Sequence, residues 1–256
     1  MADPVGVVPL ALAFGAGLLG GAMNALAGGG TFATLPALIT LGLPANAANA
    51  TSNVALLPGA ATSAWSFRRE LAPLGGVDIR LLAGITFVAG LAGSGLLVVT
   101  PTALFDRLIP WLLLVALLAI AFGRRASAWL NARVTIGARA LVAAQVLLGI
   151  YGGYFGGGVG IMTTATYGLL ASITPRAMFA PRTLMLAVAN GAATIVFIWA
   201  GLVAWWACVP MLAGGVVGGW LGAAIGKRLS PGLVRGWTLL VTFATTAVFF
   251  WRAYGG

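Results

Sequence analysis

Two runs of three glycines are the places where this sequence could bind a ligand through its backbone. Each triplet, Gly28–Gly30 and Gly156–Gly158, directly precedes a short apolar segment. Glycines break a helix, and the helix that begins after them presents unpaired N–H groups and the positive end of its dipole, which favour an anion. The competing explanation for glycines between apolar segments is tight helix packing. We favour packing for the remaining glycine pairs, which are Gly93/Gly95, Gly214/Gly215 and Gly218/Gly219.

Polar side chains close to both triplets could donate hydrogen bonds to an oxyanion. For each hydroxyl or amide, interhelical hydrogen bonding is the alternative role. Arg182, between Pro181 and Thr183 at the start of an apolar segment, is either the countercharge of a substrate or an arginine that extends to a cytoplasmic loop. The candidate substrate-binding residues are Asn24, Gly28, Gly29, Gly30, Thr31, Thr51, Ser52, Asn53, Tyr151, Tyr154, Gly156, Gly157, Gly158, Arg182, Thr183 and Asn190.

The groups that other chemistries need are missing from the apolar segments. The chain has no histidine, a single cysteine, and four acidic residues that all fall at segment ends. A proton pump or cation carrier normally uses an intramembrane carboxylate or histidine, and a transported metal needs histidine, cysteine or carboxylate ligands. An intramembrane hydrolase would need a serine–histidine, serine–lysine or paired-aspartate arrangement. We therefore expect no catalytic residues, no metal site and no cofactor.

Composition places these residues in a membrane. Hydrophobic residues make up 61% of the 256 positions and charged residues only 7%, whereas a soluble domain has about 25% charged residues. Continuous apolar segments indicate transmembrane helices instead of barrel strands. The net charge of +10 comes from basic residues that flank the segments, as in cytoplasmic loops, so we expect membrane lipids and not nucleic acid as partners.

The apolar segments number ten and divide into two repeats. The second and the seventh are shorter than the about 20 residues that cross a bilayer as a helix. Both follow a glycine triplet, and the sequence Gly-Ala-Ala-Thr recurs at Gly59–Thr62 and Gly191–Thr194. The predicted repeats are residues 1–122 and 138–256, joined by a cytoplasmic loop at 123–137. The predicted segments are 5–27, 31–43, 47–66, 77–99, 104–122, 138–155, 159–173, 178–200, 203–226 and 233–251.

An odd number of segments in each repeat inverts the second repeat relative to the first. With Arg68 and Arg69 in the cytoplasm, twelve basic residues lie on inside loops, while Arg107 and Arg252 remain outside. The predicted fold is an all-α polytopic membrane protein with two inverted-topology repeats of about five segments each and eight to ten membrane helices, two of them short and broken. Inverted repeats with interrupted helices are typical of secondary transporters, which bind substrate between the repeats.

The motifs around the first triplet resemble those of the TauE/SafE family, also called the sulfite exporter or sulfonate uptake permease family. The shared pattern is a glycine-rich break, a short helix with a proline (Pro36), the turn Leu41–Pro44, and Ala-Thr-Ser at Ala50–Ser52. The second half departs from this pattern, with Thr164 in place of the proline and Arg182–Leu184 in place of Ala-Thr-Ser. The resemblance covers essentially the whole chain. It implies a multi-pass protein that transports sulfite, organosulfonates or related anions across a bacterial inner membrane.

Together these observations predict a secondary transporter of a small anion, and not an enzyme. That the anion contains sulfur follows from the resemblance alone. The alternatives are a carrier of another small organic anion or of a neutral or cationic metabolite, and a non-transporting membrane assembly factor, which the short loops disfavour. The sequence leaves the direction of transport and the coupling ion open, and it is compatible with a homodimer.

Overall fold

Ten α-helices make up most of the computed structural model, which describes residues 6–131, 137–170, 177–226 and 228–255. No β-strand occurs within these ranges. The prediction of an all-α polytopic membrane protein is confirmed. The helices are α1 (Val7–Leu26), α2 (Thr31–Thr40), α3 (Ala45–Ser66), α4 (Ile79–Val99), α5 (Thr102–Asn131), α6 (Ala138–Tyr154), α7 (Val159–Leu170), α8 (Phe179–Trp199), α9 (Trp205–Gly226) and α10 (Pro231–Tyr254).

The helix ends follow the predicted segments closely except in one region. Helix α5 continues to Asn131, so the first part of the segment 123–137 is helical and not a loop. The arginine, alanine and leucine residues in this part are good helix formers, which explains the extension. A short 3-10 helix, Arg68–Glu70, follows α3. The predicted loop residues Arg133, Arg176 and Lys227 lie outside the described ranges.

Six helices of the described ranges are long and apolar enough to cross a bilayer, namely α1, α4, α5, α8, α9 and α10. Helix α3 has 22 residues, which is sufficient length, but its first half is unusually polar for a membrane span. Helices α2 and α7 are short, with 10 and 12 described residues. The polar side chains in the first half of α3 are Asn46, Asn49, Thr51, Ser52 and Asn53.

Glycines join α1 to α9 and α4 to α6 through direct backbone contact. A Cβ atom on Gly218 would overlap the carbonyl oxygen of Leu18, and one on Gly93 would overlap that of Ile150. Small residues allow membrane helices to approach this closely. The packing explanation therefore holds at these positions. It also holds for Gly214, whereas Gly215 and Gly219 make ordinary contacts and Gly95 has no atom within 4 Å of a Cβ position.

Helices α3 and α8 pack against each other in the interior and run in opposite directions. The ring of Phe67, just after α3, lies beside the ring of Phe179 at the start of α8, with centroids 5.9 Å apart. Towards the start of α3, the side chain of Asn53 donates a hydrogen bond to Asn190 in the second half of α8. This antiparallel pair brings the polar part of α3 to the middle of the bundle.

Helices α5 and α10 form a second antiparallel pair. At one end, the guanidinium of Arg252 lies 3.9 Å from the carboxylate of Asp106. Farther along, Arg235 donates a hydrogen bond of 2.8 Å to the carbonyl oxygen of Ala121. Further contacts join α1 to α9, α4 to α6, α2 to α10 and α5 to α7.

Candidate substrate site

The first glycine triplet separates α1 from α2. Gly28 has a φ of +84°, the left-handed conformation that commonly ends a helix, and its N–H donates to the carbonyl oxygens of Met23 and Asn24. The side chain of Asn24 then accepts a hydrogen bond of 2.8 Å from the N–H of Gly30. Asn24 therefore satisfies one of the amide groups at the start of α2. We predicted a substrate contact for both residues, and the structure places them in contact with each other.

The second triplet separates α6 from α7 and leaves more of its amide groups unbonded. Gly156 and Gly158 have φ angles of +70° and +76°. The hydroxyl of Tyr151 holds this break in place by donating to the carbonyl oxygen of Gly157 at 2.8 Å. The N–H groups of Gly157, Gly158, Val159 and Gly160 make no hydrogen bond to any residue that the structure describes.

The two breaks lie against each other. A Cβ atom placed on Gly28 would be 2.9 Å from the Cα atom of Gly160, and a Cβ atom on Gly160 would be 3.0 Å from the Cα atom of Gly28. The ring of Phe32, in the first turn of α2, packs on Gly158 in the same way. The starts of the two short helices therefore meet in the interior, as expected for one shared site.

Arg182 lies beside this meeting point and is buried. Only 8% of its surface is exposed, and its stem passes within van der Waals contact of Gly160, where a Cβ atom would be 3.7 Å from the Cδ atom. The guanidinium carbon stands 4.4 Å from the ring centroid of Phe179. Within the described part of the chain no carboxylate pairs with it. A buried cation therefore adds its charge to the positive end of α7.

A second group of polar side chains lies on the other side of the second break. The Nδ2 atom of Asn53 donates to Asn190 at 3.4 Å, and the same atom would be 2.8 Å from a Cβ atom on Gly156. Asn49, one helical turn before Asn53, donates to the carbonyl oxygen of Tyr154 at 3.2 Å. We did not select Asn49 from the sequence, although its four-residue spacing from Asn53 places both on one face of a helix.

Other candidate side chains make hydrogen bonds that tie helices together. The hydroxyl of Thr51 accepts from the N–H of Ala204, and that of Tyr154 reaches Thr100, the residue directly after α4. Thr183 donates to carbonyl oxygens of its own helix. These contacts fit the alternative of interhelical or intrahelical bonding, so a substrate role for these three stays a prediction. All sixteen candidates except Asn24 and Tyr151 are buried.

The contact between Ser52 and Thr34 gives a first testable prediction. Their hydroxyl oxygens lie 2.5 Å apart and join α2 to α3. Replacing Ser52 with alanine is expected to lower the free energy of unfolding by about 1 kcal/mol, because a buried hydroxyl loses its partner. Equilibrium unfolding in mixed detergent micelles measures this change. Ser66→Ala removes an exposed hydroxyl at the end of α3 and should have no effect; equal losses in the two variants would contradict the prediction.

The chain is similar over most of its length to bacterial proteins described as probable membrane transporters. It is 29% identical over 245 residues to a probable membrane transporter protein of Haemophilus influenzae, with 95% of each chain covered. It is 28% identical over 252 residues to the probable membrane transporter protein YfcA of Escherichia coli K12, covering 96% of this chain and 91% of the relative. A probable membrane transporter protein of Sinorhizobium sp, ORF9, is 28% identical over 231 residues, or 86% of this chain and 82% of the relative. No solved structure matches.

The family model described as "Sulfite exporter TauE/SafE" matches residues 13–249. This range contains both glycine breaks, Arg182 and the paired asparagines, so the match extends over the whole candidate site. The resemblance seen in the sequence motifs is thereby confirmed. The chain belongs to the TauE/SafE family and is a multi-pass bacterial membrane transporter.

Proposed function

We propose that this transporter carries a small oxyanion across the bacterial inner membrane, with sulfite or an organosulfonate as the first candidates. The observation that carries the proposal is the position of Arg182, a buried cation without a carboxylate partner in the described ranges, beside the start of α7. The start of α7, where N–H groups are unbonded, lies next to the stem of Arg182 at Gly160. A buried positive charge together with a helix N-terminus favours an anionic ligand.

The chemistry of these donors suits a sulfur oxyanion. Sulfite and sulfonate groups share negative charge over three oxygen atoms, and each oxygen can accept hydrogen bonds. The guanidinium of Arg182 offers five N–H donors in a planar fork, and the α7 start adds backbone N–H groups. The glycines of the second triplet leave room for the ligand to approach the backbone. We propose this cluster as the substrate site, and the name of the family supports sulfur as the central atom.

An inverted relation between residues 1–122 and 138–256 supports alternating access. The antiparallel pairs α3–α8 and α5–α10 each consist of helices with the same rank in the two predicted repeats, as such a relation requires. We propose that the halves rock about the contact between the two breaks. Gly28 and Gly160 meet there through backbone alone, while the ring of Phe32 packs on Gly158 beside them. Backbone contacts between glycines allow small sliding movements of the helices.

Transport into proteoliposomes tests the proposal. Purified protein in liposomes should accumulate labelled sulfite or sulfoacetate faster than protein-free liposomes, and unlabelled sulfite should compete. Sulfate and acetate serve as competitors of other anion classes, and a neutral sugar serves as the control for leakage. Flux of a carboxylate without flux of any sulfur oxyanion would replace the substrate class. Flux of a neutral metabolite alone would contradict an anion site.

A further inference from the structure

Two asparagine side chains of α3 hold carbonyl oxygens that lack a hydrogen-bond donor. Asn49 is 1% exposed and Asn53 is 3% exposed. Neither Oδ1 atom accepts a hydrogen bond from any residue in the described ranges. The two residues are four positions apart, so their side chains lie on the same face of the helix. An unsatisfied buried acceptor costs about 1–3 kcal/mol, so a ligand that satisfied both oxygens would stabilise the protein.

The orientation of the Asn49 amide is fixed by its partner. Its Nδ2 atom donates to the carbonyl oxygen of Tyr154 at 3.2 Å. Rotating the amide by half a turn would set two oxygen acceptors against each other, so the unpartnered atom is the oxygen and not the nitrogen. The Nδ2 atom of Asn53 is likewise occupied, by Asn190. In both side chains the Nδ2 atom thus has a partner, whereas the Oδ1 atom has none.

The surroundings of the two oxygens carry partial negative charge. Tyr154 is the last residue of α6, where the terminal carbonyl groups form the negative end of the helix dipole. Thr194 lies one turn beyond Asn190 on α8, and because α8 runs antiparallel to α3 it lies on the side towards Asn49. Its buried hydroxyl has no hydrogen-bond partner in the described ranges either. These oxygens would repel an anion and attract a cation.

We infer that Asn49, Asn53, Thr194 and the carboxyl end of α6 bind a sodium ion. Oxygen ligands suit a hard cation, and sites for calcium or magnesium include carboxylates. Of the described acidic residues, Glu70, Asp78 and Asp106 all lie at helix ends, and Asp106 pairs with Arg252. Neutral amide, hydroxyl and backbone oxygens therefore fit a monovalent ion. Carbonyl groups at the end of a broken helix supply such ligands in other secondary transporters.

The sodium site is separate from the proposed anion site. Asn190 and Arg182 are eight residues apart on α8, which corresponds to about 12 Å along the helix axis. The cation therefore binds on the α6 side of the second break and the anion on the α7 side. If the proposed function is correct, binding of both ions to one transporter would let a sodium gradient drive the movement of the anion. The coupling rests on the proposed function, whereas binding of sodium does not.

Thermal unfolding of the substrate-free protein tests the site. We expect the unfolding midpoint to rise with the logarithm of sodium concentration, and not to rise in potassium or choline chloride at equal ionic strength. Asn49→Leu and Asn53→Leu should each abolish the sodium response. Asn53→Asp adds a negative charge and should lower the half-saturating sodium concentration by about tenfold or more. Asn46→Leu is the matched control, because its Oδ1 atom already accepts from the N–H of Ala47 and the variant should respond as the original chain does.

Two outcomes would overturn the inference. The first is an equal midpoint of the unaltered protein in sodium, potassium and choline, which needs no variant to fold. The second is a sodium response that persists in both leucine variants. Different measurements would contradict this inference and the proposed function. Sulfite flux that does not depend on sodium concentration would contradict the coupling but not the anion site. A sodium-dependent unfolding midpoint without flux of any sulfur oxyanion would contradict the proposed function but not the cation site.

Discussion

Replacing Arg182 with glutamine is expected to weaken the binding of sulfite or an organosulfonate by about tenfold to a hundredfold. This range corresponds to about 1.5–3 kcal/mol for a hydrogen bond to a charged group. Glutamine keeps two N–H donors, so the main change is the loss of the positive charge. The dissociation constant of the purified protein, measured by calorimetry, reports the effect directly. The initial rate of uptake into proteoliposomes should fall in parallel.

A functional and a structural role of Arg182 predict opposite effects on stability. A buried charge without a partner costs several kcal/mol. If the anion is that partner, the substrate-free glutamine variant should be as stable as the unaltered protein or more stable, and only the stabilisation by added sulfite should disappear. If Arg182 instead anchors α8 at the membrane surface, the variant should lose stability with and without sulfite. The midpoint of thermal unfolding, measured in both conditions, separates these roles.

Two further variants serve as controls for the charge. Arg80→Gln removes an exposed cation at the start of α4 and should leave the dissociation constant unchanged. Arg182→Lys keeps the charge but loses the planar fork, so we expect an intermediate affinity. An unchanged dissociation constant in Arg182→Gln would contradict the proposed countercharge. The family and the fold would remain, but the anion would have to bind elsewhere.

The fold could be predicted largely from the sequence because apolar periodicity and length determine membrane helices. Both glycine triplets mark true breaks, since α1 and α6 end shortly before them and α2 and α7 begin directly after them. The predicted segment ends at residue 122 because the prediction followed hydrophobicity and not helix propensity, so it does not include the end of α5. Beyond that residue the chain leaves the apolar pattern, while its arginine and alanine residues still favour a helix.

The site could be predicted only in part because residue types do not say which donors are already bonded. Asn24 was a reasonable ligand by type, yet the structure gives its oxygen to the N–H of Gly30. The corresponding place in the second half has Gly152, which has no side chain to make such a bond. The two breaks look alike as sequences but differ in the number of unbonded amide groups. This difference depends on contacts between residues six positions apart and was visible only in three dimensions.

Replacing Gly28 with alanine should cause a large loss of stability for two separate reasons. Its φ of +84° is unfavourable for any residue with a side chain, which costs about 1–2 kcal/mol. The new Cβ atom would also lie 2.9 Å from the Cα atom of Gly160, and overpacking of this kind costs about 1–3 kcal/mol. Together we expect a loss of about 2–5 kcal/mol in the free energy of unfolding. Sulfite uptake should fall with it, because the two breaks can no longer touch.

Three other glycines separate the two causes of this loss. Gly42→Ala meets the same backbone strain, with a φ of +90°, but no atom lies within 4 Å of the new Cβ. Gly160→Ala would introduce the close contact with Gly28 without backbone strain, because Gly160 has no positive φ. Gly95→Ala would introduce neither a close contact nor backbone strain. If contact between the breaks is needed for transport, the Gly28 and Gly160 variants should both lose sulfite uptake, while the Gly42 variant should lose stability alone. Normal uptake by Gly160→Ala, measured per correctly folded molecule, would show that the two breaks do not have to meet, and the single central site would have to be divided into two.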